Sequence, residues 1–230
     1  TGQMKFGRNL TNSEIVEQAL HFRRMTAIDH CVFMGMGEPM LNLENVLSAC
    51  ERLPDVGITH RRTAISTVGW IPGIEALTEQ DMPLRLALSL HAADEALRSE
   101  LMPVNKRYPL TDVIDACRAF YERKRRRVFV EYVMLAGVND RYEQAVALAK
   151  ILSPTHPKPR GAGGPSNQPH MFKVNLIPFN PTDSSYEGSS RDSIAAFKGA
   201  LEARGIPATV RLTRGRDIDA ACGQLAARAA

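Results

Sequence analysis

The chain has 230 residues, of which 44% are hydrophobic, 23% charged and 6% aromatic, and its formal net charge is +4. These proportions are those of an ordinary globular domain, and no run of about 18 apolar residues offers a membrane span. The positive excess leans towards a polyanionic partner, while the low aromatic content, with Trp70 as the single tryptophan, argues against an extended base-stacking platform.

The chain opens on Thr1-Gly2-Gln3-Met4-Lys5, with no initiator Met and no apolar targeting core. We therefore expect a processed, trimmed or partial chain. Cys31, Cys50, Cys117 and Cys222 lie far apart, with no C-x-x-C pair among them. No disulfide framework and no local metal or iron–sulfur motif can be built from these four, and a reducing compartment fits better.

Residues 1–10 read as irregular. Thr11-Asn12-Ser13-Glu14 has the form of a capping box, and the apolar spacing of Ile15, Val16, Ala19, Leu20 and Phe22 predicts a helix over 12–25. A strand is expected over 28–34, ending in Gly35-Met36-Gly37-Glu38-Pro39. Asn42 is placed as the cap of the next helix. A strand over 62–68 ends at Gly69, a short helix is expected over 71–79, and a near-continuous apolar strand over 84–90 ends in Ser89-Leu90-His91. Asp94 caps a helix to about 102, and Thr111 begins another with Val113, Ile114, Cys117 and Phe120 on one face. The strand 128–135 turns at Gly137-Val138-Asn139-Asp140 into a helix over 142–152. Residues 154–170 are rich in Pro and Gly and read as a loop. A strand over 172–177 runs into Pro178-Phe179-Asn180-Pro181, a helix over 190–204 stops at Gly205, a last strand is expected over 208–212, and the Ala-rich tail 218–229 reads as helical.

Strands alternating with helices predict a parallel sheet with right-handed crossovers. Their apolar runs suggest strands covered on both faces. A complete eight-unit barrel needs roughly 250 residues, so an open doubly wound sheet and a partial barrel both remain, within one domain over 1–230. Polar residues fall just past the predicted strands: Glu38, Ser66, Ser89 with His91, Asn139 with Asp140, and Asn180. In either architecture those positions share one face, which points to a polar ligand spanning the strand ends. Taken singly, each could instead be a turn or capping residue. The basic run Arg123–Arg127 fits a solvated helix end, and phosphate contact is its alternative.

The segments TGQMKFGRNLT, FMGMGEP, ISTVGW, LALSLHA with LMPVNKRYPL, VNLIPFNP and TRGRDIDAACGQLA together resemble, in order, the radical S-adenosylmethionine (SAM) enzymes that methylate adenine in 23S ribosomal RNA. That group includes adenine-C2 methyltransferases acting on rRNA and tRNA and the related adenine-C8 resistance enzymes. The resemblance implies a partial (β/α)6 TIM-like barrel of radical SAM type, here lacking its first strand and cluster loop. It implies SAM and a [4Fe-4S] cluster as cofactors. It also implies 23S rRNA and tRNA as partners, an electron donor such as flavodoxin, and a monomer in the cytoplasm.

By that resemblance Gly37 and Glu38 hold the methionine part of SAM, and Ser66, Ser89, Leu90, His91 and Asn180 contact the same ligand. Cys222 becomes the methyl-carrying S-methylcysteine. Independently of the resemblance, the charges of Arg211, Arg214 and Arg216 around the approach to Cys222 suit contact with RNA phosphates. The cluster cysteines of the family come just before the Thr-Gly-Gln that opens this chain, and its resolving cysteine, general base and N-terminal RNA-binding domain lie further upstream. The expectation is therefore that this chain alone is inactive. Adenine C2 or C8 as target, and a cluster-less RNA-binding homologue, remain open alternatives at this point.

Overall fold

In a computed structural model, residues 6–34, 36–153, 170–180 and 184–212 are described. The expected tail helix, the 154–169 loop, Arg214, Arg216 and Cys222 lie outside them.

The first helix, α1, spans Asn12–Met25 and opens on the expected capping box: Glu14 N–H donates to Thr11 Oγ1 at 3.3 Å, and Thr11 N–H donates to Glu14 Oε2 at 2.8 Å. Then follow β1 (Cys31–Phe33), α2 (Leu43–Arg52), β2 (Thr63–Thr67), α3 (Ile71–Glu79), β3 (Arg85–Ser89) and α4 (Glu95–Leu101). The rest is α5 (Leu110–Lys124), β4 (Val128–Met134), α6 (Tyr142–Leu152), β5 (Phe172–Pro178), α7 (Arg191–Glu202) and β6 (Ala208–Val210). One capping assignment changes. A 3-10 turn, Pro39–Asn42, precedes α2, and Asn42 makes no side-chain cap. Its amide instead donates to Leu10 O at 2.8 Å and so ties down the lead-in to α1.

All six strands are parallel and pair strictly in chain order, β1-β2-β3-β4-β5-β6. That order decides between the two architectures left open above. A doubly wound sheet must reverse its strand order at a switch point, and this one never does. With right-handed crossovers throughout, the helices gather on one face and the sheet curls the other way. The curl brings its two edges together: Arg211, whose N–H extends β6 by bonding Leu176 O at 2.8 Å, reaches Met34 Sδ just past β1 at 3.7 Å. The fold is a six-stranded partial barrel.

The expectation that strands are covered on both faces fails, most plainly in β4. Val128, Val130, Tyr132 and Met134 are fully buried on the helix side, in one core with Leu86, Leu88, Phe120, Phe172, Val174 and Phe197. The alternate residues Phe129, Glu131 and Val133 face the concave side. Their counterparts on β5 are Lys173 and Asn175, paired with Phe129 and Glu131 in the register. The two faces of β4 therefore differ after all, and the inner one carries Glu131 between Phe129 and Val133, where a ligand could lie.

Gly73 of α3 stands against the 3-10 turn so closely that a Cβ there would lie 2.5 Å from Met40 Cβ. Met40 is itself buried. Gly73→Ala should therefore destabilise the fold by overpacking, by about 1–3 kcal/mol, although alanine is the better helix former. Urea unfolding checks this, and an unchanged or raised midpoint would show that Met40 yields freely.

Candidate functional site at the strand ends

The C-terminal ends of β1 and β2 are joined through Glu38. Its Oε2 accepts the Val68 N–H at 2.9 Å and its Oε1 accepts the Met40 N–H at 3.1 Å. The carboxylate thus caps the 3-10 turn and fastens the end of β2 to the Gly-Glu-Pro turn. Burial raises its pKa, against the opposing pull of the Val68 N–H, the Thr67 hydroxyl and the Met40 N–H. Each carboxylate oxygen keeps a further lone pair, so Glu38 can still accept from a ligand amine. Gly37, at φ +86°, holds the left-handed turn that presents it.

Two adjacent residues of β2 divide the work. Thr67 accepts the N–H groups of Gly69 at 3.1 Å and Trp70 at 3.2 Å, turning the chain into α3. Ser66 faces the lumen, and its hydroxyl lies 3.5 Å from that of Ser89 on β3. That separation is at the limit of a hydrogen bond, so both hydroxyls retain capacity for a ligand. Leu90 is fully buried and its N–H bonds Glu131 O at 3.0 Å, so its role is to end β3.

His91 adopts φ 60°, an uncommon conformation outside glycine. Its Nδ1 accepts the Val133 N–H at 3.1 Å, which assigns the ring proton to Nε2. Burial, and then the charge of Arg98, push its pKa down to about 4. The conformation is clamped by Asn139, whose amide donates to His91 O at 2.9 Å and Val133 O at 2.7 Å while its Oδ1 accepts from Leu135 N–H at 2.8 Å. Asn139 is fully buried and all its polar atoms are engaged. Asp140 likewise accepts the Gly137 N–H at 2.9 Å. Of the strand-end signals, this pair is structural and supplies no ligand contact through Asn139. Asn180 is buried at the end of β5, where the sequence placed it.

Sequence reasoning missed several members of the site. Arg98 is fully buried and donates to Val68 O at 2.7 Å and to Asn105 Oδ1. Asn105 in turn donates to Glu95 Oε2 at 2.7 Å and Ser99 Oγ at 2.9 Å. The LMPVNK segment thus braces the end of β2. Beside it the Arg107 guanidinium stands over Trp70 at 4.6 Å, and Tyr108 meets the indole edge-on at 5.2 Å. The register also sets Ser89, Glu131, Asn175 and Thr209 side by side in one row across the lumen. The single carboxylate inside the apolar run FVEYV was the available signal for Glu131.

The basic run lies elsewhere. Arg125 is the left-handed C-cap of α5, and Arg127 donates to His170 O at 2.9 Å. The run leads into the start of β4, at the end of the sheet away from Glu38. Arg211 stands at the seam, where its charge also reaches Glu131.

Cys50 and Cys117 are buried and Cys31 half-buried, all three as free thiols whose pKa values burial raises, to about 12, about 12 and about 11. They are core residues. Among the described residues no group of three or more His, Cys, Asp or Glu could hold a metal ion, so the described residues do not supply a ligand set for an iron–sulfur cluster. They do fit SAM: a capping carboxylate with spare lone pairs and two underused hydroxyls.

Residues 2–149 match the model of the Radical SAM superfamily. The chain belongs to that superfamily. SAM and a [4Fe-4S] cluster are the cofactors that membership brings. The chain is 46% identical over 242 residues to a probable dual-specificity RNA methyltransferase RlmN of Chloroflexus aurantiacus, covering 99% of this chain and 62% of that protein. It is 41% identical over 235 residues to the probable enzyme of the same name from Thermus thermophilus, covering 98% of this chain and 62% of that protein. A solved radical SAM methyltransferase from Sphaerobacter thermophilus superposes with a TM-score of 0.86 at 40% identity, over 97% of this chain and 64% of that one. The chain therefore spans just under two thirds of the length of these relatives. A domain of a pyruvate-formate lyase-activating enzyme from Bacteroides vulgatus shares the fold alone, with a TM-score of 0.58 at 18% identity.

The histidine gives a prediction with a definite sign. Its pKa falls from 6.5 to about 4 on folding, so the unfolded chain takes up a proton first as the pH drops. Its contribution to stability is whole above pH 6.5, declines below that value and levels off near pH 4. His91→Asn tolerates the positive φ and can accept the Val133 N–H. Urea midpoints of the variant should fall less between pH 7 and pH 5 than those of the parent, and parallel declines would place the effect on other groups.

Proposed function

We propose that this chain is the SAM-binding barrel of a radical SAM methyltransferase that acts on C2 of an adenine in 23S rRNA and in tRNA, through a methylated Cys222. The observation that carries this reading is the convergence of Glu38, Ser66, Ser89, His91 and Asn180 on one end of a one-directional parallel sheet, in a chain whose relatives bear the name dual-specificity RNA methyltransferase.

The chain's own residues then have separable tasks. Glu38, fixed by two backbone N–H groups, accepts from the α-amino group of SAM. The turn at Gly37 leaves open space for its methionine end, with nothing within 4 Å of where a Cβ would stand. Ser66 and Ser89 offer hydroxyls that either donate or accept, and neutral His91 offers its Nε2 proton. When bound, the cluster supplies the electron for reductive chemistry on SAM. Cys222 is assigned the methyl-carrier role on its sequence setting, RDIDAACGQLA. Arg211, Arg214 and Arg216 are assigned to the RNA backbone on the same ground. Flavodoxin as electron donor, a monomeric state and a cytoplasmic location accompany this reading.

The test uses the intact protein, purified without oxygen and with its cluster reconstituted, together with SAM and a 23S rRNA fragment. Nucleoside analysis should give 2-methyladenosine, and peptide mass spectrometry should find one added CH2 on Cys222. Cys222→Ala should abolish product while leaving SAM binding in place. Formation of 8-methyladenosine would move the target to the other carbon, and cluster-loaded protein giving neither product would end the methyltransferase reading.

A further inference from the structure

The lumen contains a carboxylate that the strand-end site does not explain. Glu131 lies in the middle of β4, only 5% exposed. Its Oε1 accepts from Asn175 Nδ2 at 2.8 Å, whereas its Oε2 is buried with no partner. Leaving a buried carboxylate oxygen unpaired costs stability, so an unmet acceptor of this kind marks a place where something else donates.

The orientation is not free. Thr209 Oγ1 donates to Asn175 Oδ1 at 2.8 Å, which fixes the Asn175 amide with its N–H groups towards Glu131. A one-way relay runs from β6 through β5 to β4 and ends in a bare acceptor. Ser89 is the direct neighbour of Glu131 in the register, and its hydroxyl is one of the loosely engaged pair with Ser66. Burial raises the Glu131 pKa, while the Asn175 amide and the charge of Arg211 pull it back.

A hydroxyl group and a carboxylate oxygen on adjacent strands, facing one lumen, suit a ligand with two neighbouring hydroxyls. Carboxylates take up ribose hydroxyls in this way in other α/β sites. We infer that Glu131 Oε2 accepts a hydrogen bond from a ribose hydroxyl of the SAM nucleoside, with Asn175 and Thr209 as the residues that position it. The inference rests on the proposed reading in which SAM occupies the strand-end site. It adds a ligand group that neither the Gly-Glu-Pro turn nor the serines provide.

Glu131→Gln is the sharp test, because the relay forces its outcome. The Asn175 amide still needs an acceptor, so the glutamine oxygen turns to it and the glutamine NH2 faces the lumen. An acceptor becomes a donor at nearly constant shape. The measurement is SAM affinity by calorimetry on the intact, cluster-loaded protein, with SAM and its 2′-deoxy and 3′-deoxy analogues as ligands. Glu131→Gln should weaken SAM by about 10- to 100-fold. One of the two analogues should show that same loss on the parent protein and little further loss on the variant. Thr209→Val, at an exposed position, keeps the fold, loosens Asn175 and should give a smaller loss of the same sign. Equal SAM affinity in parent and Glu131→Gln overturns the inference, as does a variant that weakens SAM and both analogues alike. If the parent binds no SAM at all, the underlying reading fails, and this inference with it.

Discussion

The peptide group of Val68 is the constraint on which the site is built. Its N–H is held by Glu38 and its C=O by Arg98. Arg98 is fully buried and Glu38 half-buried, and each is bound elsewhere: Glu38 to the backbone of the 3-10 turn, Arg98 to Asn105 and through it to Glu95 and Ser99. Hydrogen bonds to charged groups are the stronger kind. In a low-dielectric setting they fix geometry closely. One peptide therefore locks the turn after β1, the end of β2 and the segment after β3 into a single arrangement. Gly69 follows at φ +103°, where a Cβ would stand 3.0 Å from Val113 Cγ1 and 3.2 Å from Arg98 Nη2. The chain leaves no room there for another residue, because Val113 and the arginine have taken it.

A second division runs through the sheet itself. The outer faces of β3, β4 and β5 are apolar and pack under the helices, and the inner face carries the polar row Ser89, Glu131, Asn175 and Thr209. Parallel strands in a closed barrel usually fill their interior with bulky apolar side chains. This sheet places Ser89, Glu131, Asn175 and Thr209 there instead, and its six described strands curl without a hydrogen-bonded closure.

Much of the fold was legible in the sequence because strong local signals agreed with the tertiary result. The helices over 12–25, 71–79 and 142–152 stand where they were expected, the first on its capping box and apolar spacing. Barrel and doubly wound sheet could not be separated, since strand order is a property of long-range pairing that periodicity does not encode. The strand-end polar residues were legible as a set, yet their individual tasks were not. Asn139 and Ser66 look alike in sequence, each a small polar residue past or near a strand end. Only coordinates show that one spends every polar atom on the backbone and the other does not. Glu131 was hidden for a different reason. Flanked by Val130, Tyr132 and Val133, it read as one polar residue in an apolar run, and its partner Asn175 is 44 positions away.

The seam between β6 and β1 has a colloidal consequence. An open sheet carries two edges, and unpaired edges invite strand addition from other copies. Among the described residues each edge strand is three residues long, so an intruding chain gains few ladder bonds before the strand ends. The guanidinium of Arg211, reaching across to Met34, stands a charge at the rim where that ladder would have to continue. The seam is thus a poor template for self-association.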